Sequence, residues 1–297
     1  MFLLGAVCAG LLLPLQRNRY RKHLQKLNED LDCLLLHGTP LPINQYSEGE
    51  LSILASQMEK ITLRLTESAD RVQQEKESLA DSLADISHQL RTPMTAMNLA
   101  VTMLRTRELE PGRRMELTAE LRSQLQRMDW LVETLLKISK LDAGTITMAS
   151  EAVSVREMLH RALEPLEIAM DVKNLSLSLH CASEAFMGDL GWTAEAVGNI
   201  LKNCMEHTPE GGSITIRAEE TPLYTRITVE DTGEGIAPQD LPHLFDRFYQ
   251  GANGSPASYG IGLALARSIV TSQNGTVQAE NGRIGARFTI KFYKQVI

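Results

Sequence analysis

Two long runs of apolar residues at helical spacing, separated only by Pro111-Gly112, constrain this chain more than any other feature. In the first, Leu79, Leu83, Ile86, Leu90, Met94, Met97, Val101 and Leu104 recur every three or four residues, one face of a helix expected over residues 68–107. In the second, Leu117, Leu121, Leu125, Met128, Leu131, Leu135 and Ile138 predict a helix over residues 113–141. Two long helices joined by a short turn make an antiparallel hairpin. One hairpin leaves an apolar stripe uncovered, whereas two close a four-helix bundle, so burial alone predicts a homodimer.

His88 lies off the apolar face of the first helix, where solvent can reach its imidazole. Pro93 falls in the same pattern and has no N–H for the carbonyl of Gln89, so a bend is expected there. A proline inside a helix costs about 3 kcal/mol, which calls for a compensating reason.

The rest of the chain supplies its context. Its 297 residues suit about two domains, and 43% hydrophobic with 23% charged residues marks it as mostly globular. A net charge of −7 argues against a nucleic-acid binder. Cys8, Cys33, Cys181 and Cys204 show no metal-ligand spacing and read as reduced thiols. Residues 2–15 are apolar, a helix of about 21 Å, and Arg17, Arg19, Arg21 and Lys22 follow. Apolar first and basic second fits the cytoplasmic end of a short or partial membrane anchor.

Short helical patterns follow over residues 19–36 and from Glu50 to Leu65, with Gly38, Pro40 and Pro42 between them. Beyond Asp142-Ala143-Gly144 the pattern becomes mixed. Helices are expected over residues 155–170, 193–207 and 263–272, and strands over 175–180, 214–218, 226–230, 276–280 and 286–292. The 175–180 segment alternates as a half-buried strand would.

Four features lie in this C-terminal part, in order. Asn199 and Asn203, spaced i and i+4, project their amides from one helix face near His207, and amide oxygens suit a hard cation such as Mg²⁺. Asp231-Thr232-Gly233-Glu234-Gly235-Ile236 stands at a strand end, where a carboxylate can accept from an exocyclic amine. Phe245, Arg247 and Phe248 precede a Gly- and Ser-rich loop. Gly260-Ile261-Gly262-Leu263 opens a helix, a backbone arrangement suited to phosphate, although neither a P-loop nor a Rossmann fingerprint is present.

Each feature is weak alone, but in this order they carry a family resemblance. Ile86 to Pro93 resembles the phosphoacceptor box of membrane-anchored sensor histidine kinases of bacterial two-component systems. The four later features resemble that family's N, G1, F and G2 boxes, which form a Bergerat-type ATP site. Residues 19–68 resemble a HAMP-type signalling linker, with Ser47-Glu48-Gly49-Glu50-Leu51 in the place of its acidic-glycine motif.

The resemblance implies a multidomain protein: membrane anchor over 1–18, HAMP-like linker over 19–68, dimeric helical hairpin over 69–145 and α+β ATP-binding sandwich over 146–297. It implies that His88 takes the γ-phosphoryl group of ATP and passes it to an aspartate of a response regulator, with the kinase domains cytoplasmic. Asp231 would bind the adenine amine, and Asn203 would hold Mg²⁺ with Asn199 beside it. His207, Gly233, Gly235, Ile236, Phe245, Phe248, Gly260, Gly262 and Leu263 would shape the pocket and its lid, and Arg247 would orient the γ-phosphate. Thr92 holds the position linked to phosphatase activity. Two residues depart from the family pattern. Gln89 replaces the usual acidic neighbour of the histidine, and Glu206 stands where many members have lysine. Two rival readings remain, a Bergerat ATPase of another branch and a non-catalytic signalling scaffold.

Overall fold

The structure, a computed structural model, describes residue 25 and residues 50–105, 110–251 and 259–294. The expected membrane anchor and most of the HAMP-like linker lie outside them. No helix among the described residues is long and apolar enough to cross a membrane. The chain divides into two compact units, Met1–Asp81 and Ser82–Ile297.

Helix α1 spans Glu50–Leu104, so the segments read separately as residues 50–65 and 68–107 are one helix. Pro93 sits inside it and is buried. The apolar stripe read from the sequence is largely uncovered. Leu83, Met94 and Val101 are about half exposed, while Ala100 is buried. Helix α2, Pro111–Asp142, starts earlier than expected because Pro111 occupies the first turn, where a missing N–H costs nothing. It ends in a Gly144 cap at φ 61°, with Gly144 N–H donating to Leu141 O (3.0 Å) and Thr145 N–H to Lys140 O (3.1 Å).

The α+β part begins with β1 (Glu151–Ser154) and α3 (Val155–Leu163). Pro165 then breaks the expected long helix into a 3₁₀ turn (Glu164–Leu166) and a short α4 (Glu167–Val172). There follow β2 (Ser176–His180), β3 (Ala185–Gly188) and α5 (Leu190–His207), whose first turn is capped by the Asp189 carboxylate accepting from Trp192 N–H at 3.0 Å. Next come β4 (Ser213–Glu220), β5 (Tyr224–Asp231), α6 (Gly262–Ser272), β6 (Gly275–Asn281) and β7 (Ala286–Tyr293).

Five strands form one sheet in the order β2-β4-β5-β7-β6, with only the β2–β4 pair parallel. The period-two alternation of β4, β5 and β7 puts Ile214, Ile216, Ile227, Val229, Phe288, Ile290 and Phe292 on one face. That face is buried with Leu159, Val197, Ile200, Leu201, Leu265 and Ile269 of α3, α5 and α6 in one core. The other face carries an ion-pair chain in which Glu230 binds Arg217 (2.8 Å) and Arg287 (2.5 Å), and Arg287 also reaches Glu280 (3.2 Å). Two four-residue strands, β1 and β3, pair antiparallel as a separate ribbon that sequence periodicity is too short to reveal. The ribbon is pinned by Phe186 stacking on Phe292 at 4.2 Å. Strand β2 is exposed throughout, not half buried, because it forms the sheet edge beyond the cover of the helices.

Helix α2 does not turn its whole apolar stripe away from this domain. Leu131, Ile138 and Leu141 belong to the same core as the sheet, and α2 packs on α6. Lys137 bonds Glu195 of α5 at 2.5 Å, and Arg247 bonds Asp142 at 2.5 Å.

Candidate functional site

Helices α5 and α6 and the end of β5 enclose a cavity of about 430 Å³, within the range of sites for small ligands. Its lining includes Asn199, Asn203, His207, Asp231, Gly235, Ile236, Gly260, Gly262 and Leu263, nine of the twelve residues expected to bind the nucleotide. Gly233, Phe245 and Phe248 lie outside the lining. A Cβ on Gly233 would stand 2.5 Å from the carbonyl oxygen of His207, so this glycine lets the strand end approach α5. Phe245 packs edge-on against Phe288 at 6.5 Å and thus serves the core, and Phe248 has a left-handed φ of 63°.

Asp231 is the last residue of β5 and 94% buried, since its relative exposure is 6%. Its Oδ1 accepts from Gly233 N–H at 2.9 Å and from Ala286 N–H at 3.1 Å. Beneath it the fully buried Cys204 thiol is pushed well up, first by burial and then by the charge and hydrogen bonding of Asp231. A carboxylate offers roughly four acceptor sites. The two backbone N–H donors therefore leave Asp231 capacity for a further donor in the cavity.

The Asn199 amide donates to Glu195 O at 3.0 Å, and its Oδ1 faces Gly262, where a Cβ would come within 3.0 Å of it. The Asn203 amide makes no hydrogen bond among the described residues. Gly260 adopts φ 66°, and a Cβ there would meet the Tyr249 carbonyl oxygen at 2.3 Å, so only glycine closes this turn before α6.

The cavity has walls that the motifs did not announce. Ser123, Gln126, Arg127 and Trp130 line it from α2, and Lys202, Glu206, Asp240, Tyr249 and Tyr259 from the α+β part. Trp130 stacks on Tyr259 with centroids 6.2 Å apart, and the Lys202 ammonium lies 5.3 Å from the Trp130 ring centroid. The signal that could have found the α2 group is its spacing. Ser123, Gln126, Arg127 and Trp130 continue the face that buries Leu131, Thr134, Ile138 and Leu141.

The four residues expected to be catalytic are not gathered at the cavity. His88 is exposed on α1, Gln89 is half buried beside it, and the Thr92 hydroxyl donates to the His88 carbonyl oxygen at 3.5 Å. Arg247 is engaged by Asp142 at the end of α2 and lies outside the lining.

Comparisons with known proteins bear on both regions. Residues 188–296 match the family "Histidine kinase-, DNA gyrase B-, and HSP90-like ATPase". Residues 78–144 match "His Kinase A (phospho-acceptor) domain". The chain is 27% identical over 277 residues to sensor histidine kinase YclK of Bacillus subtilis, covering 91% of this chain and 58% of that protein. It is 28% identical over 250 residues to the histidine-protein kinase/phosphatase MprB of Mycobacterium avium, covering 81% and 45%. The chain thus spans about half the length of the curated relatives it matches.

Two solved structures share the fold. Histidine kinase AdeS of Acinetobacter baumannii has a TM-score of 0.61 at 24% identity, covering 70% of this chain and 98% of that one. Histidine kinase ThkA in complex with response regulator TrrA has a TM-score of 0.63 at 19% identity, covering 77% and 66%. The ATPase match alone is shared with gyrase and chaperone branches, and the phosphoacceptor match ahead of it separates them. With both regions in this order on one chain, the protein belongs to the sensor histidine kinases.

Proposed function

We propose that this chain is a membrane-anchored, ATP-dependent protein-histidine kinase. A ring nitrogen of His88 forms a bond to the γ-phosphorus of ATP as the bond to the β-bridging oxygen breaks, and ADP leaves. The phosphoryl group then passes to an aspartate of a response regulator. One observation carries the reading. The cavity with a buried carboxylate at its floor is walled partly by α2, and α1, joined to α2 by a short connection, exposes His88. Bound nucleotide must therefore be brought to His88, because neither His88 nor Gln89 lines the cavity. The solved complex of ThkA with the response regulator TrrA supports the choice of a response regulator as partner.

The cavity's donor set fits the nucleotide and its metal. Asp231 would accept the adenine amine, and the backbone at the entry to α6 would suit phosphate. No cluster of three His, Cys, Asp or Glu is present among the described residues. Mg²⁺ needs none, since it keeps waters and phosphate oxygens and takes one or two protein oxygens. Asn203, whose amide has no hydrogen-bond partner among the described residues, would hold it, with Asn199 beside it. The ion would neutralise charge on the phosphates. Gln89 can orient the imidazole but is a poor base. Thr92 would orient water for dephosphorylation. Arg247 would act on the γ-phosphate only after leaving Asp142.

A homodimer through the hairpin is supported by Met94, Leu99, Val101, Met115, Leu125 and Leu136, all about half exposed or more on α1 and α2. The division into anchor (1–18), linker (19–68), phosphotransfer hairpin (69–145) and ATP-binding domain (146–297) belongs to the same reading, with the kinase domains on the cytoplasmic side of a cell membrane.

Incubation with γ-labelled ATP tests it. The expected product carries an acid-labile, alkali-stable label that His88→Gln abolishes. Label that survives His88→Gln would move the phosphoacceptor elsewhere, and ATP hydrolysis without label would favour a different ATPase branch.

A further inference from the structure

The face of α2 that joins the core at Leu131, Ile138 and Leu141 overhangs the cavity one to two turns earlier, at Ser123, Gln126, Arg127 and Trp130. Trp130 fixes which end it covers. Its ring stacks on Tyr259, which immediately precedes the Gly260-Ile261-Gly262 entry to α6, and it covers Lys202, the neighbour of Asn203. That is the part of the cavity where the entry to α6 and the Asn amides lie, groups that suit phosphate. Arg127 is one helical turn from Trp130 on the same face, half buried and lining the same space. Lys202, the other strong cation of the lining, is 3.9 Å from Glu206 and lies over the Trp130 ring. Arg127 has no ion pair or hydrogen bond from its side chain among the described residues. A half-buried guanidinium without a carboxylate is the group expected to face a polyanion.

The level of Arg127 along the hairpin adds a second observation. His88 lies 16 residues before Leu104, and Arg127 lies 16 residues after Pro111. Along its own helix each therefore stands about 24 Å from the end next to the short connection, at 1.5 Å per residue. Arg127 thus lines the cavity from a place along α2 that matches the place of His88 along α1.

We propose that Arg127 is a phosphate-binding residue of the nucleotide site, supplied by the hairpin and not by the ATP-binding domain. The proposal rests on the nucleotide reading above. It makes the hairpin a sensor of what fills the cavity, because a triphosphate offers the guanidinium a partner that adenosine lacks.

The test is calorimetric binding of MgATP and of adenosine to the full chain, wild type against Arg127→Gln and Arg127→Lys. Loss of one charge-assisted contact should weaken MgATP about tenfold in the Gln variant. Adenosine affinity should stay the same, and the Lys variant should recover most of the MgATP affinity. An unchanged ratio of MgATP to adenosine affinity in Arg127→Gln would overturn the assignment while leaving the nucleotide site intact. Equal loss for both ligands would also overturn it, as a packing effect of the side chain. Failure of the wild type to bind either ligand would overturn the nucleotide reading itself.

Discussion

Replacing Asp231 by Asn removes one charge and changes almost no volume, and the surrounding bonds dictate how the amide must sit. Gly233 N–H and Ala286 N–H both point at Oδ1, at 2.9 and 3.1 Å. The amide oxygen has to take that place, since turning the group over would set an NH₂ against two backbone donors. The NH₂ then faces the cavity, where the adenine amine also donates. One hydrogen bond to a charged acceptor is lost, worth about 1.5–3 kcal/mol, or roughly 10- to 150-fold in Kd. A base with a carbonyl oxygen at the same position gains a donor, so the preference for MgATP over MgGTP should fall by at least as much. Titration calorimetry with both nucleotides measures this, and an unchanged thermal midpoint shows that the fold is kept. A loss below threefold with an unaltered ATP-to-GTP ratio would refute the assignment of Asp231 as the base-reading group.

Other expectations follow from neighbouring contacts. Gly260→Ala should cost well over 1 kcal/mol, from the left-handed φ and the collision with the Tyr249 carbonyl, and should lower nucleotide affinity and thermal midpoint together. Trp130→Ala removes the Tyr259 stack and the Lys202 contact, about 1–2 kcal/mol together, and should speed proteolytic cleavage in residues 143–150. An unchanged cleavage rate would show that the stack does not hold α2 in place. Burial pushes the Glu230 carboxyl up, but its hydrogen bonds to Arg217 and Arg287 outweigh this and hold it below the ordinary range. Its stabilising contribution is therefore full above about pH 4.3 and disappears as pH falls through the lowered value. The gap in thermal midpoint between wild type and Glu230→Gln should be present at neutral pH and close as pH falls below the ordinary carboxylate range. Cys204, buried and held protonated, should resist iodoacetamide in the native chain and react on unfolding, as peptide mapping would show.

Much of this was legible in the residues. The β4, β5 and β7 alternation, the end of β5 at Asp231 and the glycine entry to α6 are local patterns, and each fell within two or three residues of its observed place. What escaped is non-local. Periodicity says that Leu131 and Ile138 are buried, but not whether a second hairpin or the core of the same chain covers them. Trp130 and Tyr259 meet across a long sequence separation with no motif to link them. Phe245 reads as a lid residue from its box, yet in three dimensions it is held by Phe288. The β1–β3 ribbon is made of four-residue strands, too short to show a period.

The end of α2 has a mechanical consequence. A swing of the ATP-binding domain about the Gly144 cap would leave the Arg247–Asp142 pair almost on its pivot. A bond so close to the axis has a short lever arm and exerts little torque, and as an exposed pair it is worth at most about 1 kcal/mol. Trp130 stands 12 residues back along α2, about 18 Å from Asp142, and acts through the full arm. The Trp130 stack, with the buried Leu131 beside it, would therefore resist such a swing through a longer arm than the ion pair does.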